Sequence, residues 1–168
     1  MKRLFMLSLT LAALSPAATS AALADAKIYS AASCVRLSTI VLGNNGQVSN
    51  LSQTLGGSIL CPLVRDNTAT KPTSITVGVI DNSSLLVGNG DISCKLVGTT
   101  LTGKTVFTGA VSKTVGTNSA GQSLPILLPA SIPADAQIAV SCTIPRRGVG
   151  DPASVVGGIK VVEPDPGN

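Results

Sequence analysis

From residue 34 onward, apolar and polar residues alternate with a period of two. Ile75, Val77 and Val79 share one parity, while Thr76 and Gly78 take the other. Successive side chains of a strand point to opposite faces, so this alternation predicts half-buried strands. Ile59, Cys61 and Leu63 repeat it, as do Ile92, Cys94 and Leu96, and Ile138, Val140, Cys142 and Ile144. Clusters of Gly, Pro, Asn and Ser separate the runs every ten to fifteen residues or so, and no helical periodicity competes. The spacing predicts about eight strands, near Cys34–Leu42, Gly57–Leu63, Ser74–Asp81, Ile92–Val97, Lys104–Thr108, Ser123–Leu128, Gln137–Ile144 and Val155–Glu163. The expected fold is all-β, an antiparallel β-sandwich. Asn44-Asn45-Gly46 predicts a tight hairpin turn, because Asn and Gly accept positive φ at low cost. The small, polar segment Gly109 to Gln122 is expected as a long mobile loop, and the tail Pro164 to Asn168 as a frayed end.

The first residues break this pattern. Lys2 and Arg3 precede an apolar stretch from Leu4 to Leu14, and Ala22-Leu23-Ala24 supplies the small-x-small sequence that a signal peptidase needs. Residues 1–24 are therefore expected to be an export signal cleaved before Asp25, with Ala22 as the alternative site, leaving 25–168 as a single domain. The apolar stretch is short for a membrane span, and no cysteine follows the cleavage site to carry a lipid, so no membrane anchor is expected. The expected location is secreted or periplasmic.

Composition sharpens the picture of the core. Beyond the leader, Tyr29 and Phe107 are the only aromatics, and the chain has no Trp and no His. The core must be built from branched aliphatics. Formal net charge is +4 for the whole chain and falls to +2 without Lys2 and Arg3, ten basic residues facing eight acidic ones. That charge is too small to imply nucleic acid. Arg146-Arg147 reads as loop decoration. Cys34, Cys61, Cys94 and Cys142 form an even set in an exported chain, without a CxxC, where thiols pair with one another. Three connectivities are open; Cys34 with Cys61 and Cys94 with Cys142 is favoured, since each bond then closes a loop within one half of the chain.

Ser33-Cys34, Cys61-Pro62-Leu63-Val64-Arg65-Asp66, Ser93-Cys94-Lys95-Leu96, Ser141-Cys142-Thr143-Ile144-Pro145 and Ile159-Lys160-Val161-Val162-Glu163 together span nearly the whole mature chain. In this order they resemble a recurrent pattern of small uncharacterised exported bacterial β-sandwich proteins. The resemblance implies the same fold class and disulfide pairing, and it carries no activity, cofactor or site residue.

Candidate chemistry is thin. Gly98-Thr99-Thr100-Leu101-Thr102-Gly103-Lys104-Thr105 satisfies the GxxxxGK[ST] phosphate-loop expression. A phosphate loop needs a following helix whose N-terminus holds the phosphates, and Val106-Phe107-Thr108 favours strand, so a hairpin loop is expected. With no histidine, nucleophilic catalysis lacks its usual base, and no Ser-x-x-Lys offers a substitute dyad for Lys95, Lys104 or Lys113. Asp66, Asp81, Asp91, Asp135, Asp151 and Glu163 are the carboxylates available to a glycosidase-type pair; each is expected to be a turn-former or solvated charge. The claimed cysteines leave no transition-metal set. Asp66-Asn67, Asp81-Asn82 and Asn89-Gly90-Asp91 offer hard oxygens without EF-hand spacing. No catalytic residue, cofactor or metal is expected.

The expected function is therefore that of a non-enzymatic envelope or extracellular domain acting through contacts with an unknown protein or cell-surface partner, without nucleic acid and without a membrane span. Two alternatives stand beside it. One is a module binding glycans or small ligands in a loop-built site. The other is a fimbrial-type subunit that self-associates by strand addition; Asp25–Ser33 would be its donor extension, although that segment is expected to be a frayed N-terminus.

Overall fold

The computed structural model describes residues 25–66, 68–85 and 90–164. The leader, its cleavage motif, Asn67, Asn89 and most of the expected frayed tail lie outside the described residues. The regular structure among them is nearly all strand: β1 (Asp25–Ser30), β2 (Val35–Arg36), β3 (Ile40–Leu42), β4 (Val48–Asn50), β5 (Gly57–Leu63), β6 (Ser74–Asp81), β7 (Ser93–Thr99), β8 (Thr105–Thr108), β9 (Ser112–Lys113), β10 (Asn118–Pro125), β11 (Gln137–Ile144) and β12 (Val155–Glu163). A single 3-10 turn, Ala31–Ser33, follows β1. The strands form two antiparallel sheets. The first runs β10-β6-β12-β4-β3, with β1 also on β12; the second runs β2-β5-β11-β7-β8, with β9 also on β7. The expected sandwich is present.

Alternation places the core as the sequence implies. Ile59, Cys61, Ile75, Val77, Cys94, Leu96, Val140, Cys142, Ile144, Ile159 and Val161 are buried between the sheets. Tyr29 and Phe107 pack only against the margin of this aliphatic core. Phe107 lies over Gly98, its partner on β7, where a β-carbon would collide with the ring. Both disulfides form as favoured, Cys34–Cys61 and Cys94–Cys142. Cys94 and Cys142 are register partners on β7 and β11, so the second bond ties directly opposed residues of neighbouring strands.

Three expectations need correction. The run Cys34–Leu42 is not one strand: β2 pairs with β5 in the second sheet and β3 with β4 in the first. Cys34 is held to β5 by its disulfide, while Ile40 pairs with Asn50 on β4, so the chain crosses between sheets at Ser38-Thr39. Second, Gly109–Gln122 is not a long loop. Ser112 and Lys113 pair with Cys94 and Ser93, and β10 begins at Asn118 rather than Ser123 and ends at Pro125. Third, the segment from Asp25 is not frayed, because β1 pairs with β12 over six consecutive residues from Asp25↔Glu163 to Ser30↔Gly158. The Asn44-Asn45-Gly46 turn does close the β3–β4 hairpin, with Gly46 at φ 76°.

Candidate functional site

The outer face of the first sheet carries a cavity of about 870 Å³. Its shape follows from register. Pro125, Thr76, Lys160 and Ile28 stand side by side on β10, β6, β12 and β1, and two residues along, Ser123, Gly78, Gly158 and Ser30 form the next row. A third row holds Ile80, Val155 and Ser49. The middle row has hydrogen atoms in place of side chains on its two central strands, so a trough crosses the sheet between the flanking rows. Four strands spaced by about 4.8 Å give it a length of roughly 14 Å.

The floor is made by glycines with different constraints. A β-carbon on Gly158 would approach the Tyr29 carbonyl oxygen to 2.9 Å, so the close seating of β1 demands glycine there. A β-carbon on Gly78 would meet nothing nearer than the Gly158 carbonyl oxygen at 3.8 Å. Gly78 thus has room for a side chain and leaves that room to the trough. Gly157 marks a bulge in β12, where register with β6 shifts between Val156 and Gly158.

The walls combine amides, hydroxyls and aliphatics. Asn45 and Gln47 come from the β3–β4 hairpin. That hairpin is fastened at the Gly46 carbonyl, which accepts from Ser30 Oγ (2.9 Å) and from the Ala32 N–H (3.0 Å). Ser123 comes from β10, Thr76 from β6, and Ile28, Ile80 and Val155 supply apolar contact; Gln122, the register partner of the buried Val79, turns its side chain to the inner face of the sheet. Gln122 Nε2 is buried and makes no hydrogen bond, an expensive state for an amide donor. Lys160 is the one charged lining residue among those described. Sequence reasoning missed this site, because polar residues facing outward from a strand look like solvated surface.

The sequence-singled residues lie elsewhere and serve structure. Gly98–Thr105 forms the β7–β8 hairpin, with Gly103 at φ 81° and the Gly103 N–H on the Thr100 carbonyl (2.9 Å); the Lys104 N–H meets Thr100 Oγ1 (3.2 Å). Asp81 is 1% exposed and its carboxylate accepts from the Ser83 N–H (3.2 Å), Ser154 Oγ (3.0 Å), the Ile92 N–H (3.2 Å) and Thr114 Oγ1. It gathers four separate segments at one end of the sandwich. Asp151 accepts from the Ser84 N–H (2.8 Å) and Oγ (2.7 Å), and these two bonds hold its carboxyl below the usual carboxylate range. Asp135 is exposed. Arg146 and Arg147 tie their loop to Gln53 and Ser52 through the Gln53 carbonyl (3.5 Å) and the Ser52 carbonyl (2.8 Å).

Only Asp66 and Glu163 of the carboxylates named from sequence meet, and they meet at a lysine. Lys27 Nζ pairs with Asp66 and with Glu163 Oε2 (3.2 Å), which also accepts the Asp66 N–H (2.9 Å). Desolvation pulls Lys27 down, the bonds to Asp66 and Glu163 outweigh it, and the net shift is upward. The bond to Lys27 holds Asp66 low. Among the described residues, no three His, Cys, Asp or Glu side chains group as metal ligands, and no helix is long and apolar enough to cross a membrane.

No family model matches the sequence, and no curated protein matches it. The fold outline is similar to that of several solved structures. A family two carbohydrate esterase from Cellvibrio japonicus aligns at 9% identity and TM-score 0.46, covering 87% of this chain and 36% of that one. A family 11 carbohydrate-binding module of a cellulosomal cellulase of Clostridium thermocellum aligns at 14% identity and TM-score 0.40, covering 85% and 89%. A chain of infectious bursal disease virus, Gt strain, aligns at 17% and 0.43, covering 95% and 37%. The chain spans little more than a third of the esterase and of the viral chain. These likenesses assign no function.

Proposed function

We propose that this chain is an exported, non-enzymatic binding domain that holds an extended glycan in the trough across its first sheet. The observation that carries the reading is the glycine floor, with Gly78 leaving open a space that the backbone would let a side chain fill. Direction argues for a glycan over a peptide. Peptides on β-proteins usually add to a sheet edge and run along the strands. This trough crosses a ladder whose backbone groups are already paired, so its occupant must be recognised by the wall side chains. Amides and hydroxyls of Asn45, Gln47, Thr76 and Ser123 suit a chain bearing donors and acceptors on every unit. Ile28, Ile80 and Val155 supply the apolar contact that aromatics would otherwise give.

Edge addition has little support. β2 has two residues and β3 has three, and β10 bulges between Asn118 and Gln122, a device that blunts edges. The N-terminal segment suited to donation occupies β12 of its own chain. The test is Gly78→Val, a β-branched residue that suits a strand, screened against immobilised polysaccharides beside the parent protein. The reading predicts retained folding with binding lost. A Gly78→Val protein that binds its glycan as well as the parent overturns it.

A further inference from the structure

Resting on this reading, we infer that the trough selects an acidic glycan, a polysaccharide carrying uronate carboxylates among neutral hydroxyls, and that Lys160 is the residue that selects it. Lys160 is exposed, stands on the central strand of the face and is flanked in its row by Thr76 and Ile28. Among the described residues, no carboxylate lines the trough. The ion pairs among the described residues belong to Lys27, with Asp66 and Glu163 as acceptors. The ammonium of Lys160 thus faces the trough without a counterion, and the occupant is the group placed to supply one.

The charge pattern separates classes of anion. A phosphodiester polymer carries a charge on every unit, whereas this site offers one cation among side-chain amides and hydroxyls. One carboxylate per few units matches that ratio. The ligand carboxylate accepts from Lys160 Nζ, the Thr76 hydroxyl supports it from the adjacent strand, and the apolar face of the same sugar lies over Ile28. Lysine binds as a point charge, so the contact should weaken with salt.

The experiment measures binding of the chain from Asp25 onward to polygalacturonate, to neutral dextran and to heparin at low and physiological salt, with Lys160→Gln, Lys160→Arg and Gly78→Val beside it. The inference predicts that polygalacturonate binds and dextran binds more weakly, that Lys160→Gln weakens polygalacturonate about fivefold at low salt, the scale of one exposed ion pair, and that Lys160→Arg keeps it. Equal binding of dextran and polygalacturonate, lost in Gly78→Val and untouched in Lys160→Gln, overturns the acidic-glycan inference and leaves the trough reading standing. Heparin bound as tightly as polygalacturonate overturns uronate selection in favour of general polyanion binding. Binding of none of the three overturns the inference, and failure of the wider polysaccharide screen separately overturns the trough reading.

Discussion

Replacing Asp81 with alanine should cost this fold more than any other surface-to-core polar change described above. The side chain is 1% exposed, and its two oxygens accept four hydrogen bonds, from Ser83, Ile92, Thr114 and Ser154. Alanine leaves the Ser83 N–H and the hydroxyls of Ser154 and Thr114 without this acceptor, while the Ile92 N–H keeps Thr114 Oγ1 (2.9 Å); each orphaned group costs about 1 to 3 kcal/mol. Taking the lower figure for the three, because the segments can shift and the terms overlap, the loss is about 3 kcal/mol. For a domain stable by about 5 to 15 kcal/mol this is a large fraction. It corresponds to a fall in urea midpoint of roughly 1.5 M at a slope near 2 kcal/mol/M. Asp81→Asn keeps the shape but turns an amide NH2 toward two donors, and should fall between alanine and the parent. Asp135→Ala, at an exposed position, is the matched control and should stay within about 0.5 kcal/mol. Equilibrium urea unfolding with the disulfides intact reads all three. If Asp81→Ala unfolds within 1 kcal/mol of Asp135→Ala, the carboxylate does not hold the four segments together and the reasoning fails.

The paired replacements Cys94→Ala with Cys142→Ala and Cys34→Ala with Cys61→Ala should each destabilise, by about 4 and about 3.5 kcal/mol respectively, because their loops span 48 and 27 residues and loop closure grows with the logarithm of length. Equal losses, or the reverse order, in thermal or urea unfolding would count against a chain-entropy origin. Stability should be flat near neutrality and fall at both extremes of pH. Asp66 and Asp151 have lowered folded pKa values, so their contribution is present above the ordinary carboxylate range and is lost as pH drops through the folded values. Lys27 has a raised value, so its contribution is present below 10.5 and is lost as pH rises through the folded value. Lys27→Met should flatten the alkaline limb and shrink the acid one; an unchanged melting profile against pH would refute the pairing. Lys104→Ala should leave stability within about 0.5 kcal/mol and should not alter affinity for nucleotide triphosphate, since the Lys104 segment is a hairpin turn. Nucleotide binding by the parent that is lost in Lys104→Ala, read by fluorescence polarisation, would contradict that reading.

How much of this was legible beforehand depends on where each signal lives. Strands that face the core on one side announce themselves: β5, β6, β11 and β12 begin and end at the residues expected from alternation. β1, β4 and β9 did not, because two or three residues, or a strand held on one edge only, make no period to read. Their pairing is decided by partners far along the chain, Glu163 for Asp25 and Cys94 for Ser112. The loop expected over Gly109–Gln122 hid a polar anchor, Thr114 on Asp81, that hydrophobic patterning cannot see. The trough was illegible for a related reason. Gly78 and Gly158 are eighty residues apart, and only the β6–β12 register makes them one floor. The cysteine pairing was legible because each bond joins nearby strands within one half of the chain.

The most direct measurement of the central claim is a titration of the 15N-labelled chain from Asp25 onward with polygalacturonate oligomers, followed by proton–nitrogen correlation NMR. The account predicts shifts confined to Gly78, Gly157, Gly158, Ser123 and the side-chain amides of Asn45 and Gln47. Shifts clustered on the outer face of the second sheet, or spread over the loops with Gly78 and Gly158 unmoved, would contradict it.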